Sequence, residues 1–218
     1  MMKQRLIINI LLVVTFLFTG CLENFKEDKK VEKELLSGTS DEHYYQNSKK
    51  YFEEGNYSES LKYNLKQLEE DFKYYKEQSA EVAVDYNNIG LNYNQLGEHK
   101  KALEYYLKAM EIEKIVLDTN SSKKATTFYN MASAYFSVND FNRSLHYYNK
   151  SLLLDKEPIN LIATYDDMAS IYEAQHNYKA SLTYYKKSLI LQNGIYSENE
   201  EIVLRTKSKI NQLTKQIN

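Results

Sequence analysis

The sequence has 218 residues, of which 43% are hydrophobic and 27% charged, and its formal net charge is −2. This composition excludes an intrinsically disordered chain, and the nearly balanced charge excludes the basic surface that binding to nucleic acid requires. One proline and six glycines leave few helix breakers, so we expect a nearly all-helical protein.

The first twenty residues differ in kind from the rest of the chain. Lys3 and Arg5 form a basic start, and residues 6–17 are uncharged and mostly apolar. This order is typical of a secretory signal, and the apolar run is shorter than the roughly 20 residues of a transmembrane helix. We therefore predict a signal peptide over residues 1–20.

Cys21, the only cysteine, follows this run directly. Its surroundings resemble a bacterial lipobox, in which the cysteine is lipidated and becomes the first residue of the mature chain, although Phe18 stands where leucine is more usual. The resemblance implies a palmitate-type lipid anchor at Cys21 and an extracytoplasmic place in the cell envelope. An inner-membrane retention signal would have aspartate directly after the lipidated cysteine. Leu22 occupies that position, so an outer-membrane location is favoured if the cell has an outer membrane. The alternative is an ordinary cysteine in a plain signal or an uncleaved anchor.

Residues 21–40 are predicted to form a tether. The segment is rich in charge and ends in Ser-Gly-Thr-Ser. Such a linker holds a folded domain away from the membrane without fixing its orientation.

A four-fold repeat occupies residues 41–193. A seven-residue phrase begins at Gly55, Gly97, Asn139 and His176, at spacings of 42, 42 and 37 residues. Each phrase is preceded by an aromatic residue, a small residue and a second aromatic, in the sets Tyr44/Ser48/Tyr51, Tyr86/Gly90/Tyr93, Phe128/Ala132/Tyr135 and Tyr165/Ala169/Tyr172. Small residues let two helices approach closely, the aromatics pack around the contact, and the phrase itself marks a turn.

A paired aromatic and a small residue follow each phrase, in the sets Tyr105-Tyr106/Ala109, Tyr147-Tyr148/Ser151 and Tyr184-Tyr185/Ser188. The first repeat has Tyr63-Asn64 and Gln67 at these positions and is the most divergent. The whole pattern resembles the 42-residue tetratricopeptide repeats of kinesin light chains and of peptide-sensing bacterial regulators. This resemblance implies an all-α, right-handed solenoid of four helical hairpins, over residues 41–78, 79–120, 121–158 and 159–193. Its first helices would line a concave groove that binds proteins or peptides.

Residues 194–218 are predicted to form a capping helix. Ser197 and Glu200 have the spacing of a capping box, with Ser197 as the N-cap and Glu200 at the third helical position. The apolar residues that follow form one face, as a terminal helix with a polar outer surface requires; they are Ile202, Ile210, Leu213 and Ile217.

Two columns of polar residues on the first helices are candidates for ligand binding. One column is Gln46, Asn88, Asn130 and Asp167, and the other is Tyr45, Asn87, Tyr129 and Asp166. Amide side chains both donate and accept hydrogen bonds, so they can bind the backbone of a peptide. Asparagines do this in repeats of the kinesin-light-chain type, and Asn88 and Asn130 match them, whereas Gln46 and Asp167 depart. Ionised Asp167 would favour a basic part of the ligand. Alternatively, these residues solvate the helices or hold neighbouring repeats in register.

Other chemistry has little support in the sequence. The four histidines, at 43, 99, 146 and 176, occupy unlike repeat positions, and no Cys-x-x-Cys, phosphate loop or nucleophile elbow is present. We expect no cofactor, no metal and no enzymatic activity. The leading hypothesis is a lipid-anchored adaptor for partner proteins. The alternatives are a peptide sensor and an accessory subunit of an envelope enzyme or assembly machine, and the groove is also a candidate surface for homodimerisation.

Overall fold

The computed structural model describes residues 42–119 and 121–217, and the secondary structure in these ranges is entirely helical. The predicted signal, Cys21 and the tether lie outside the described residues. The helices are α1 (42–53), α2 (Tyr57–Tyr74), α3 (Ala80–Gln95), α4 (His99–Val116), α5 (Ser122–Ser137), α6 (Phe141–Leu154), α7 (Pro158–Ala174), α8 (Tyr178–Gln192) and α9 (Glu201–Ile217). Within the described part of the chain, none of them has the length and apolar character needed to cross a membrane.

Consecutive helices pair into four hairpins, and the hairpins stack in chain order. Each second helix also packs on the first helix of the next hairpin, and α9 packs on α8 in the same way. Contacts also join α3 to α5 and α5 to α7. The predicted array of four hairpins followed by a terminal helix is therefore confirmed.

Every hairpin turn contains one residue with a left-handed backbone. The φ angles are 74° at Gly55, 78° at Gly97, 60° at Asn139 and 58° at His176. This conformation ends a helix by turning its last free carbonyl groups toward backbone N–H groups of the turn. In all four turns, the N–H after the left-handed residue donates to the carbonyl of the aromatic residue that closes the first helix; these aromatics are Tyr51, Tyr93, Tyr135 and Tyr172.

Small residues permit the close helix contacts that the repeat pattern predicts. A Cβ added to Gly90 would lie 2.6 Å from Cε1 of Tyr106, whose ring is fully buried. At another contact, the Ser144 hydroxyl donates to the carbonyl of Ala132 at 2.7 Å. Beside these contacts, each hairpin stacks one tyrosine of its first helix on one of its second, with ring centroids 5.4–5.5 Å apart; the pairs are Tyr51–Tyr63, Tyr93–Tyr105, Tyr135–Tyr147 and Tyr172–Tyr184.

The terminal helix α9 covers the last hairpin, but it begins later than predicted. Ser197 is not its N-cap. The Ser197 N–H donates to Oε1 of Glu200 at 2.8 Å, while the Glu200 N–H donates to the Ser197 carbonyl in a turn. Helical bonding starts only where the Leu204 N–H donates to the Glu200 carbonyl. The packed face of α9 also includes fully buried Val203, which the apolar pattern missed.

Candidate functional site

The two predicted polar columns lie on α1, α3, α5 and α7, and we call the surface formed by these four helices the A-helix face. The structure places the members of the columns in four different situations. Some bond across neighbouring repeats, some line cavities between α1 and α3, Asp166 lies next to α9, and Gln46 stands apart. The Gln46 side chain is exposed and donates to the Glu42 carboxylate of its own helix at 2.5 Å.

Asn87 and Asn130 join the second repeat to the third. Asn130 Nδ2 donates to Asn87 Oδ1 at 3.1 Å, across 43 residues of sequence. Asn130 is only 8% exposed. Its amide therefore holds adjacent repeats in register, which is the alternative role that the sequence left open for this column.

Tyr129 and Asp167 join the third repeat to the fourth. The Tyr129 hydroxyl donates to Asp167 Oδ2 at 2.8 Å, and the Tyr148 hydroxyl donates to the same oxygen at 2.9 Å. Burial raises the pKa of Asp167, and the two hydroxyl bonds oppose that rise. Burial also raises the pKa of both tyrosines, so they remain protonated donors. This oxygen of Asp167 already has two protein donors.

These contacts follow one pattern along the A-helix face, which we call the diagonal. A residue of the second column in one repeat bonds a residue of the first column in the next repeat. At the C-terminal end of the diagonal stands Asp166, next to α9. Burial raises the pKa of its carboxyl group, and the Ser188 hydroxyl and the Arg205 charge act in the opposite direction.

The N-terminal end of the diagonal is different. The pair there is Tyr45 and Asn88. In the described residues the Asn88 side chain makes no hydrogen bond, and only its backbone carbonyl is used, by Asn92 Nδ2 at 3.0 Å. Tyr45 is 47% exposed. Tyr45 and Asn88 therefore present side-chain groups that are available to a ligand.

Tyr45 and Asn88 line two adjoining cavities at the junction of the first two repeats. The larger, which we call the Asn64 cavity, has a volume of about 340 Å³ and lies between α1, α2 and α3. The second, of about 210 Å³, shares Tyr45, Asn64 and Asn88 with it. A further cavity of about 230 Å³ lies beside Tyr129, between α5 and α7.

The Asn64 cavity lies at a position where the first repeat lacks the tyrosine that the other three repeats have. The positions equivalent to Asn64 hold Tyr106, Tyr148 and Tyr185, which are buried and fill the repeat junctions. Asparagine is shorter, so it leaves the space that a ring occupies elsewhere. The sequence showed this divergence at residues 64 and 67, but the candidate columns included only first-helix residues and therefore missed Asn64 and Gln67.

The described residues offer no metal site. Within 42–119 and 121–217, no three His, Cys, Asp or Glu side chains form a group that could hold a metal ion. The junction offers amides, carboxylates and tyrosine rings, which can bind a ligand through hydrogen bonds and ring contacts.

Comparison with known proteins identifies the repeats. The family model for the tetratricopeptide repeat matches residues 51–114 and 81–157, which together span just under half of the chain. A search of curated proteins found no match.

Solved structures show the same fold at low sequence identity. BtubC (BKLC) from P. vanneervenii has a TM-score of 0.68 at 16% identity, over 80% of this chain and 71% of that one. The nearly identical TPR-like repeats of a kinesin light chain protein from Podosopora anserina give a TM-score of 0.67 at 12% identity, over 80% and 85% of the two chains. The APC/C hetero-tetramer Cut9–Hcn1 gives a TM-score of 0.60 at 17% identity, over 78% of this chain but 29% of that one. Identities this low establish the fold alone.

Proposed function

The chain contains tetratricopeptide repeats, and from this premise we propose that it is a membrane-anchored scaffold that binds a partner protein on the A-helix face. Proteins built from such repeats mediate protein–protein interactions, because stacked helix pairs create an extended binding surface. The proposal places the partner's segment at the junction of the first two repeats, and it assigns the protein no catalytic step.

One observation carries this proposal. The diagonal of polar side chains bonds to itself in the later repeats, but Tyr45 and Asn88 remain available and line cavities. An amide can donate to a peptide carbonyl and accept from a peptide N–H, and a half-exposed tyrosine adds apolar contact area with a polar end. The first junction is therefore where a peptide segment finds unused hydrogen-bonding groups.

The anchor is proposed from the sequence around Cys21. A lipidated cysteine followed by a charged linker would hold the repeats beside a membrane, outside the cytoplasm, in the cell envelope. A partner bound by the repeats would then be an envelope or secreted protein.

Site-specific photocrosslinking tests the binding site. A photoreactive phenylalanine derivative in place of Tyr45, in the full chain in its native cells, should give an adduct with the mass of a whole protein. The same derivative in place of Glu104, which is exposed on α4, should not. Asn88→Ala in the Tyr45-labelled chain should lower the adduct yield severalfold while leaving the helical circular dichroism unchanged.

Two results would count against the scaffold. Equal yields of adduct from positions 45 and 104 would contradict the proposed binding site. An adduct with only a short peptide would favour the alternative function of a peptide sensor. In the same cells, Cys21→Ser should abolish labelling by a radioactive fatty acid and release the chain from the membrane fraction. A variant that stays labelled would contradict the lipid anchor.

A further inference from the structure

Helices α6 and α8 each expose one large aliphatic side chain to solvent. Leu153 of α6 is 73% exposed and Ile190 of α8 is 72% exposed. The repeat register gives these two residues the same position, which Glu69 and Glu111 occupy in the first two repeats. Both glutamates are exposed as well. The third and fourth repeats thus have bare aliphatic groups where the first and second have carboxylates.

A lysine lies one helical turn before each of these aliphatic residues. Lys150 and Lys187 precede them by three positions, and residues three apart are neighbours on a helix surface. Each ammonium group lies over a tyrosine ring of its own helix, 5.3 Å from the ring centroid of Tyr147 and 4.9 Å from that of Tyr184. Neither lysine forms an ion pair with another described residue. Both charges are therefore available to an external anion.

The two helices carry charge of one sign only. Neither α6 nor α8 contains an aspartate or a glutamate, whereas α2 and α4 contain several glutamates among their lysines. In α8, Lys186 is exposed and stands four residues before Ile190, which places the two side chains side by side. We call the surface formed by Lys150, Leu153, Lys186, Lys187 and Ile190 the α6–α8 face.

The neighbouring helices do not neutralise this face. The helices packed on α6 and α8 are α5, α7 and α9, and α5 contains no acidic residue. In α7, Asp166 and Asp167 belong to the A-helix face, and Glu173 pairs with Lys209 at 3.0 Å. The acidic residue of α9 is Glu201, at its first position.

The segments that border α6 carry acidic groups with nearby partners. Asp140 pairs with Arg143. After the helix, Asp155 accepts the backbone N–H of Glu157 at 2.9 Å and lines the cavity between α5 and α7, and Lys156 stands between these two acids. The α6–α8 face therefore combines unpaired positive charge with exposed aliphatic side chains.

This combination fits a lipid bilayer with anionic headgroups. A bilayer accepts single protruding aliphatic side chains without a matching pocket, while lysines extend their ammonium groups to the headgroups. Anionic lipids attract lysines that lie close to their surface. An acidic protein segment would match the charge, but it would also have to cover aliphatic groups on two helices that each pack on α7.

We propose that the α6–α8 face lies on an anionic lipid surface. Leu153 and Ile190 insert at the level of the acyl chains, and the three lysines of the face bind headgroup phosphates. The contact goes beyond the partner binding proposed above and uses none of its residues, so the A-helix face stays accessible. One pair of aliphatic groups binds lipid weakly and reversibly, and the proposed lipid anchor would hold the repeats near enough for repeated contact.

Tryptophan fluorescence tests this contact, because the chain contains no tryptophan of its own. The full chain with Leu153→Trp is reconstituted from detergent into vesicles of phosphatidylcholine and phosphatidylglycerol in equal parts. We expect blue-shifted emission and severalfold stronger quenching by brominated acyl chains than in the matched control Glu111→Trp, which has the same register position. Phosphatidylcholine alone, or high salt, should remove most of this difference. Equal quenching of the two chains in the anionic vesicles, or quenching that ignores lipid charge, would overturn the proposal.

Substitutions in the Leu153→Trp chain connect the quenching to the face. The double change Lys150→Gln with Lys187→Gln should lower the quenching severalfold, whereas Lys108→Gln, at the same register position in α4, should not change it. Ile190→Glu restores the residue type of the first two repeats and should also lower the quenching. Circular dichroism checks that each variant is folded. Undiminished quenching in folded Ile190→Glu is sufficient to reject the face, even if the lysine variant does not fold.

Two further results separate this proposal from its alternatives. If a soluble polyglutamate peptide shifts the emission of Leu153→Trp while anionic vesicles do not, the face binds protein and the lipid contact is rejected. The scaffold is tested independently by the Tyr45 crosslink, which involves no residue of α6 or α8. Failure of the crosslink leaves the lipid contact standing, and failure of the quenching leaves the scaffold standing.

Discussion

At the scale of single residues, a polar contact recurs between the second helix of one repeat and the first helix of the next. The Thr127 hydroxyl donates to the Glu113 carboxylate at 2.7 Å. At the corresponding place before α9, Gln192 Nε2 donates to the Thr206 hydroxyl at 3.0 Å. The same junction position thus carries an ionisable group in one case and a neutral one in the other. Burial of Glu113, which is 3% exposed, raises its pKa to about 7, opposed by the Thr127 bond and by nearby lysines.

Glu113 should make the stability of the protein depend on pH. Its pKa in the folded state lies above that in the unfolded state, so the folded protein binds this proton more tightly. The stabilisation is complete below the unfolded pKa of about 4.3, and it is lost as the pH rises through about 7. We expect Glu113→Gln to raise the free energy of unfolding at pH 8 by roughly 1–2 kcal/mol relative to the native chain, and to change it little at pH 4.

Urea unfolding of both chains at these two pH values measures the effect. The exposed residue Glu111, on the same helix, provides the control variant Glu111→Gln, which should follow the native chain. A Glu113→Gln protein whose pH dependence equals that of the native chain would show that folding does not raise the pKa of Glu113.

At the scale of helices, the turns between the paired helices have a common design with one exception. Asn56, Asp140 and Asn177 each accept the backbone N–H three residues ahead, at 3.3, 3.0 and 3.2 Å. Glu98 occupies the equivalent position before α4 and makes no such cap bond. Its longer side chain instead pairs with Lys101 on the surface. The first N–H groups of α4 therefore lack the side-chain acceptor that the other three second helices have.

Glu98→Asn should stabilise the protein. An asparagine would then follow Gly97, as Asn56 follows Gly55 in the first turn, and the new amide could accept the N–H of Lys101. We expect a gain of about 0.5–1 kcal/mol in the free energy of unfolding, the usual value of an N-cap. The converse change Asn177→Ala should cost about 1 kcal/mol in the same denaturation assay. If Asn177→Ala has that cost but Glu98→Asn has no effect, the missing N-cap of α4 does not limit the stability of the protein.

At the scale of the whole molecule, each repeat is stabilised mainly by packing against the repeats next to it. The described residues form a row of four apolar clusters rather than one central core, and neighbouring clusters share Tyr93, Tyr147 and Tyr184 at their edges. The last cluster is completed by Leu213 of α9 against Ala169 and Tyr185. In such an array, each junction stabilises mainly the repeats on its two sides. The terminal helix thus acts as the neighbour that the fourth repeat would otherwise lack.

Removal of the Leu213 side chain should weaken the C-terminal end selectively. Leu213 is 1% exposed, so Leu213→Ala is expected to cost about 2–4 kcal/mol. Leu204 lies on the same helix but is 51% exposed, and Leu204→Ala should cost far less. Hydrogen exchange should show faster exchange in α7, α8 and α9 than in α3 and α4. A uniform increase along the chain would mean that the repeats unfold as one unit rather than as neighbours.

The sequence by itself determined the repeat, the four hairpins and the turns, because each depends on local properties. The helical spacing of aromatic and small residues requires close helix pairs, and a left-handed residue must stand between them. Gly55 and Gly97 suit that conformation directly, and the repeat register extends the requirement to Asn139 and His176, which then adopt positive φ. Only the start of α9 was placed wrongly, since Ser197 and Glu200 close a turn before the helix.

Only the tertiary structure decided what the polar columns do. A ligand-binding column and a register-holding column require the same amides and carboxylates at the same helical positions, so no local pattern separates them. The distinction depends on which side chain of the next repeat lies within hydrogen-bond distance. For Asn130 and Asp167 such partners exist, whereas Asn88 lines the space that opens where Asn64 replaces a tyrosine. That space is formed by three helices together, and its existence follows from their packing rather than from any one segment.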